Sequence, residues 1–103
     1  MICCMNIVKD LKDNQLTLKI IGELNTTTAP ELEKVIKNDL NGIKSLVFDC
    51  EELSYLSSAG LRVLLVAHKI MSKQGKMSLK RVNKSVMEIF DITGFLNILV
   101  FED

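Results

Sequence analysis

Apolar residues in this chain switch between a two-residue and a 3.6-residue period, and the order of those switches limits the folds open to it. Leu16, Leu18 and Ile20 fall on one side of an extended segment, with Thr17 and Lys19 on the other. Leu32, Val35, Ile36 and Leu40 then form one helical stripe, with Glu33, Lys34 and Lys37 outside it. Leu46-Val47-Phe48 is a short unbroken apolar run, which suits an interior strand covered on at least one face. The helical period returns with Leu61, Leu64 and Leu65 and leaves only a narrow polar face before a stop near Gly75. Met77 and Leu79 mark another strand, and Val86, Ile89 and Phe90 a short third helix. Met5 to Leu11, followed by the Asp13-Asn14 turn signal, reads as a strand paired with the Gln15–Gly22 segment in an antiparallel hairpin. Leu96 to Phe101 suits a closing edge strand.

Strands separated by helices imply right-handed βαβ crossovers. The expectation is one α/β domain over residues 1–103, a mixed sheet of four or five strands with helices mainly on one face. Punctuation agrees with this order. Thr28-Ala29-Pro30-Glu31 fits a capping box with Pro in the first turn, and Asn41-Gly42 ends that helix. Asn83 or Ser85 caps the third helix, where Ser85-Val86-Met87-Glu88 is a second capping-box match and Gly94 the stop.

Composition narrows the function. The chain of 103 residues is 48% hydrophobic and carries 13 basic against 13 acidic residues, for a net charge of zero. That balance argues against nucleic-acid binding through a basic patch and against a polybasic membrane surface. No apolar run reaches the roughly 18 residues of a membrane span, and the N-terminus lacks the pattern of a secretory signal. Three cysteines make no disulfide framework, so a cytoplasmic setting is expected. One His, no Trp and one Tyr leave few parts for acid–base or metal chemistry. No metal, cofactor or catalytic residue is expected, and the chain is read as a non-enzyme. His68 is read as a structural or surface residue, Cys50 as a small buried hydrophobe, and Cys3 and Cys4 as part of a frayed or first-strand terminus.

The most informative stretch is Leu46 to Leu65, LVFDCEELSYLSSAGLRVLL. A buried strand delivers the chain through a polar connector to hydroxyls at the start of a helix. Either Ser57 or Ser58 serves there as an ordinary N-cap on residue type alone. The same place, with unpaired amides and the positive dipole end, also suits an anion or phosphate.

This stretch resembles the STAS domain, and most of all the stand-alone bacterial anti-sigma factor antagonists. Gly22-Glu23-Leu24-Asn25 is similar to the family's Gly-Glu-Leu-Asp segment. Asn83-Lys84-Ser85-Val86 and Ile92-Thr93-Gly94-Phe95 are similar to its last-helix region. The resemblance covers nearly the whole chain. It implies regulation of transcription by partner switching. The unphosphorylated protein would bind an anti-sigma factor that is also a serine-protein kinase, phosphorylation of a loop serine would release it, and a PP2C-type phosphatase would restore it. Any nucleotide would belong to the kinase, since no Walker A pattern is present. Against the family's Asp-Ser-Ser/Thr-Gly-Leu motif, Ser57 stands at the Asp position, Ser58 at the phosphoserine and Ala59 at the second hydroxyl. Ser57 lacks the carboxylate and offers a second hydroxyl, so it is the rival acceptor. Asn25, Thr26, Thr27, Ser57, Ser58, Ala59, Gly60, Arg62 and Lys69 are expected at the partner surface, with Lys73 further along the same helical face. A STAS scaffold subunit without phosphorylation, in a transport or stress-signalling assembly, and a small-ligand or nucleotide sensor are the alternative readings.

Overall fold

The structure is a computed structural model and describes residues 5–102. Cys3 and Cys4, assigned from sequence to a frayed or first-strand terminus, lie outside the described residues. Strand β1 (Met5–Lys12) and β2 (Gln15–Leu24) form the antiparallel hairpin, in register from Met5 opposite Gly22 to Lys12 opposite Gln15. The turn between them holds Asp13 at φ 54°, the left-handed geometry that matches the twist of a two-residue hairpin. Helix α1 (Ala29–Asp39) leads to β3 (Ser45–Asp49), which lies parallel to β2. After β4 (Leu53–Leu56) come α2 (Ser58–Ser72), β5 (Lys76–Lys80), α3 (Lys84–Thr93) and β6 (Phe101–Glu102).

The sheet runs β1-β2-β3-β5-β6, with β4 pairing to β2 off that path. Central β3 accounts for the Leu46-Val47-Phe48 run, all three residues being buried. Strand alternation puts Leu16, Leu18 and Ile20 into the same core as Leu46, Phe48 and Leu79. Leu32 and Ile36 of α1, and Leu64, Ala67 and Met71 of α2, cover that face. Each of the buried Leu, Ile, Phe and Met side chains stabilises the fold by about 1.5–3 kcal/mol through burial. Thr17, Lys19, Asp49 and Lys80 line a groove on the opposite, open face.

The α/β class, the mixed sheet and the helix order match the expectation; four local readings need correction. β4 adds a strand that the sequence presents only as the end of a polar connector. Thr28 stands at the α1 N-cap but accepts no hydrogen bond from the helix, because its hydroxyl is turned the other way, donating to the Glu23 carbonyl at 2.8 Å and accepting from the Asn25 amide at 2.9 Å. Asn83 alone caps α3, its Oδ1 accepting from the Val86 amide at 2.9 Å, and Ser85 lies inside the helix. The closing strand is two residues long, because left-handed Gly94 (φ 85°) turns the chain into a single 3-10 turn at Phe95–Asn97.

Candidate functional site

The carboxyl end of β2 and the start of α2 are tied together by backbone. β4 runs parallel to β2 with Leu24 opposite Leu56, and the Ser57 amide donates to the Leu24 carbonyl at 2.9 Å. The register shifts between Gly22 and Glu23, where Gly22 takes φ 108°, a conformation that suits glycine. The loop after Leu24 therefore sits beside the loop before Ser58.

Each loop is shaped by its own sequence. Asn25 Oδ1 accepts from the amides of Thr27 at 2.9 Å and Thr28 at 3.1 Å, an Asx-type turn. The Asn25 amide donates to Thr28 Oγ1 at 2.9 Å. These bonds bury Thr28 and leave Thr26 and Thr27 exposed. Asn25 itself is half-buried and works as the scaffold of the turn.

At α2, Ser57 is the N-cap residue in extended geometry (φ −98°, ψ 176°), but its side chain makes no cap hydrogen bond. Its Oγ is buried and has no hydrogen-bond partner among the described residues. Ser58, the first residue of the helix, is exposed. Gly60 is buried hard against the strands: a Cβ there would lie 2.7 Å from Leu24 Cγ and 2.8 Å from Leu56 Cδ1. Glycine thus sets how closely the start of α2 approaches β2 and β4.

Thr26, Ala59 and Arg62 line one groove between α1 and α2, together with Pro30, Glu33 and Val66. Its volume is about 130 Å³, below the roughly 300–1,000 Å³ of a small-molecule site. Pro30, Glu33 and Val66 were missing from the sequence reading; the Ala59, Val63, Val66 spacing on α2 is the signal that marks this wall. Arg62 is exposed, while Glu33 is engaged by Lys37 at 3.3 Å. Lys69 and Lys73 are exposed on the same side of α2 but do not line the groove.

The larger groove on the open sheet face gathers none of these residues. Its Lys19 pairs with Glu52 at 3.0 Å, and its Arg81 pairs with Asp49. Burial pushes the Asp49 carboxyl up, but the Arg81 hydrogen bond and the Glu51 amide outweigh it, so the group stays below the usual carboxylate range. Cys50, at the end of β3, is buried, and burial pushes its thiol up to about 12. It is a neutral thiol at physiological pH, in keeping with a small hydrophobe in the core. Among the described residues no cluster of metal ligands occurs and no helix is long and apolar enough to cross a membrane.

Residues 6–103 match the STAS domain family. BtrV of Bordetella bronchiseptica is 38% identical over 96 residues, covering 91% of this chain and 83% of that protein. The anti-sigma-B factor antagonist of Bacillus subtilis is 33% identical over 99 residues, covering 92% and 90%. Among solved structures, an anti-sigma factor antagonist from Mycobacterium paratuberculosis superposes with a TM-score of 0.86 at 20% identity, covering 95% of this chain and 85% of that one. SpoIIAA in its unphosphorylated form gives a TM-score of 0.74 at 14% identity, covering 97% and 88%. With its strand order, its paired loops at one end of the sheet and its Ser-Ser-Ala-Gly-Leu helix start, the chain belongs to the STAS domain family.

Proposed function

We propose that this chain is an anti-sigma factor antagonist that switches partners through phosphorylation of Ser58. The observation that carries the choice of residue is the contrast between neighbouring hydroxyls. Ser58 is exposed at the first position of α2, whereas Ser57 Oγ is sealed from solvent. A kinase needs the acceptor oxygen in its own active site, and only the Ser58 side offers it without remodelling the helix start. The relatives' names support the class, and SpoIIAA, a fold neighbour, has been solved in both unphosphorylated and phosphorylated forms.

In this reading the unmodified chain binds an anti-sigma factor that is also a serine-protein kinase, in the cytoplasm. The surface is formed by Thr26, Thr27, Ser58, Ala59 and Arg62 around the α1–α2 groove, with Gly60 setting how closely the start of α2 approaches the strands, and Lys69 at its margin. Phosphate adds about 1.5–2 negative charges and three acceptor oxygens. The α2 dipole tolerates that charge, so the fold persists while the docking surface changes from a small neutral hydroxyl to a bulky dianion. A PP2C-type phosphatase then restores the serine.

Incubation with the ATP-binding anti-sigma kinase and ATP, followed by mass-spectrometric mapping, tests this. The expected result is phosphate on Ser58, loss of kinase binding on modification, full binding by Ser58→Ala and weakened binding by Ser58→Asp. Equal affinity of the two variants, or label confined to Ser57, would overturn the reading.

A further inference from the structure

We infer that Arg62 captures the phosphate of phospho-Ser58 within the same chain, so that modification also withdraws the cation from the α1–α2 groove. The inference rests on Ser58 being the acceptor and adds a second moving part to that switch. Ser58 and Arg62 stand four residues apart on α2, about 6 Å along the axis and about 40° apart around it. Helical side chains lean toward the N-terminus, so the long Arg62 stem can reach back over the turn that carries Ser58. Residues at this spacing meet on a helix surface.

Arg62 is available for the pairing. It is exposed and takes part in no ion pair with any described residue. The carboxylate that shares its groove, Glu33, is held by Lys37 at 3.3 Å. The first turn of α2 carries no acidic residue that could hold Arg62. A phosphate on Ser58 supplies an anion one turn away, and the planar guanidinium can meet two of its oxygens at once.

The consequence reaches the partner. In the unmodified chain Arg62 forms part of the groove wall with Thr26 and Val66. Once drawn to the phosphate, it no longer presents its charge there. The partner then faces a new dianion at Ser58 and loses a cation one helical turn away.

The test uses the full chain with phosphoserine incorporated at position 58 during synthesis, so no kinase is involved. Phosphorus NMR at low ionic strength follows the second ionisation of the phosphate against pH. Arg62→Gln is expected to raise that pKa by about 0.2–0.4 unit, the size of a helix-surface pair. Arg62→Lys is expected to fall between wild type and Arg62→Gln. Lys69→Gln, on the same face but about 16 Å from Ser58 along the axis, is expected to match wild type. Coincident curves for wild type and Arg62→Gln overturn the pairing, as does an equal shift from Lys69→Gln. A kinase that fails to label Ser58 overturns the functional reading instead, and the two failures are told apart by the built-in phosphoserine.

Discussion

The starts of α2 and α3 share a backbone frame and differ in what their side chains do with it. Ser57 and Asn83 are both extended N-cap residues, at φ −98°, ψ 176° and φ −75°, ψ 169°. Neither first turn contains an acidic residue. Asn83 caps its helix and ties it to β4: Oδ1 accepts from the Val86 amide at 2.9 Å, and Nδ2 donates to the Leu53 carbonyl at 2.8 Å. Ser57 gives its helix no side-chain bond, and its own hydroxyl is buried without a partner among the described residues. The two helix starts lie at opposite ends of β4, since Asn83 bonds Leu53 and Ser57 follows Leu56. One end spends its polar groups on stability. The other leaves its amides without a side-chain cap, which is where a new anion can be accommodated.

The largest effect is expected where the closed end is opened. Asn83→Ala removes the cap and the Leu53 bond together, at a cost of about 1–2 kcal/mol. For a domain of this size that lowers Tm by about 4–10 °C in calorimetry. An unchanged Tm would mean that α3 is held by its apolar contacts alone and that the two ends do not differ in kind.

Gly60→Ala probes the open end through packing. The added methyl meets Leu24 and Leu56, and overpacking of this kind costs about 1–3 kcal/mol. Replacing glycine inside a helix returns up to about 1 kcal/mol. The net expectation is a loss of about 1 kcal/mol by denaturant melt, with NMR shifts concentrated at Leu24, Leu56 and Ser57. A stabilised variant would show that α2 can lift from the strands at no cost, and that the acceptor loop is looser than its contacts imply.

How much of this contrast could be read from sequence depended on whether the deciding partner was local. The two-residue period of β2, the α1 stripe and the Leu46-Val47-Phe48 run are properties of single segments, and each lies where its pattern put it. β4 was missed because four residues carry too little period, and their partners, Gly22 to Leu24, come some thirty positions earlier. The Thr28 capping box failed for a related reason. Asn25 had already taken the Thr28 amide, and the Thr28 hydroxyl turned to Glu23. At the site, the motif brought Ser57 and Ser58 to notice as a pair. Only burial separated them, and burial depends on how the chain packs around the start of α2, which the two serines do not encode.

The closed end has a second fastening that responds to pH. Asp49, at the end of β3, is nearly buried and pairs with Arg81, the left-handed residue (φ 57°) two positions before Asn83. The Asp49 carboxyl is held below its usual range, with the raising effect of burial outweighed by Arg81 and the Glu51 amide. A depressed carboxyl contributes stability that is complete above the unfolded value of about 3.9 and is lost as pH falls through the native value beneath it. Asp49→Asn is therefore expected to lose about 1 kcal/mol at neutral pH, with Arg81 half-exposed and partly screened. The deficit against wild type should shrink as urea melts are repeated from pH 5 down to pH 2.5. A deficit that stays constant over that range would assign the pair no part in fastening the β5–α3 connection.

The smallest effect is expected at Ser57, and it bears most directly on the contrast. Serine to alanine at an N-cap ordinarily costs about 0.5–2 kcal/mol, because a side-chain bond to the helix is lost. Here there is no such bond to lose, and a buried hydroxyl without a partner carries an unpaid desolvation cost. Ser57→Ala is expected to leave stability within about 0.5 kcal/mol of wild type or to raise it slightly. The same variant should still accept phosphate at Ser58 to full stoichiometry, since the exposed hydroxyl and the Leu24–Ser57 backbone bond are untouched. A Tm loss as large as that of Asn83→Ala would show that Ser57 caps α2 in solution, and the start of α2 would then be as closed as that of α3. Loss of phosphate from Ser57→Ala with stability intact would instead move the acceptor from Ser58 to its neighbour.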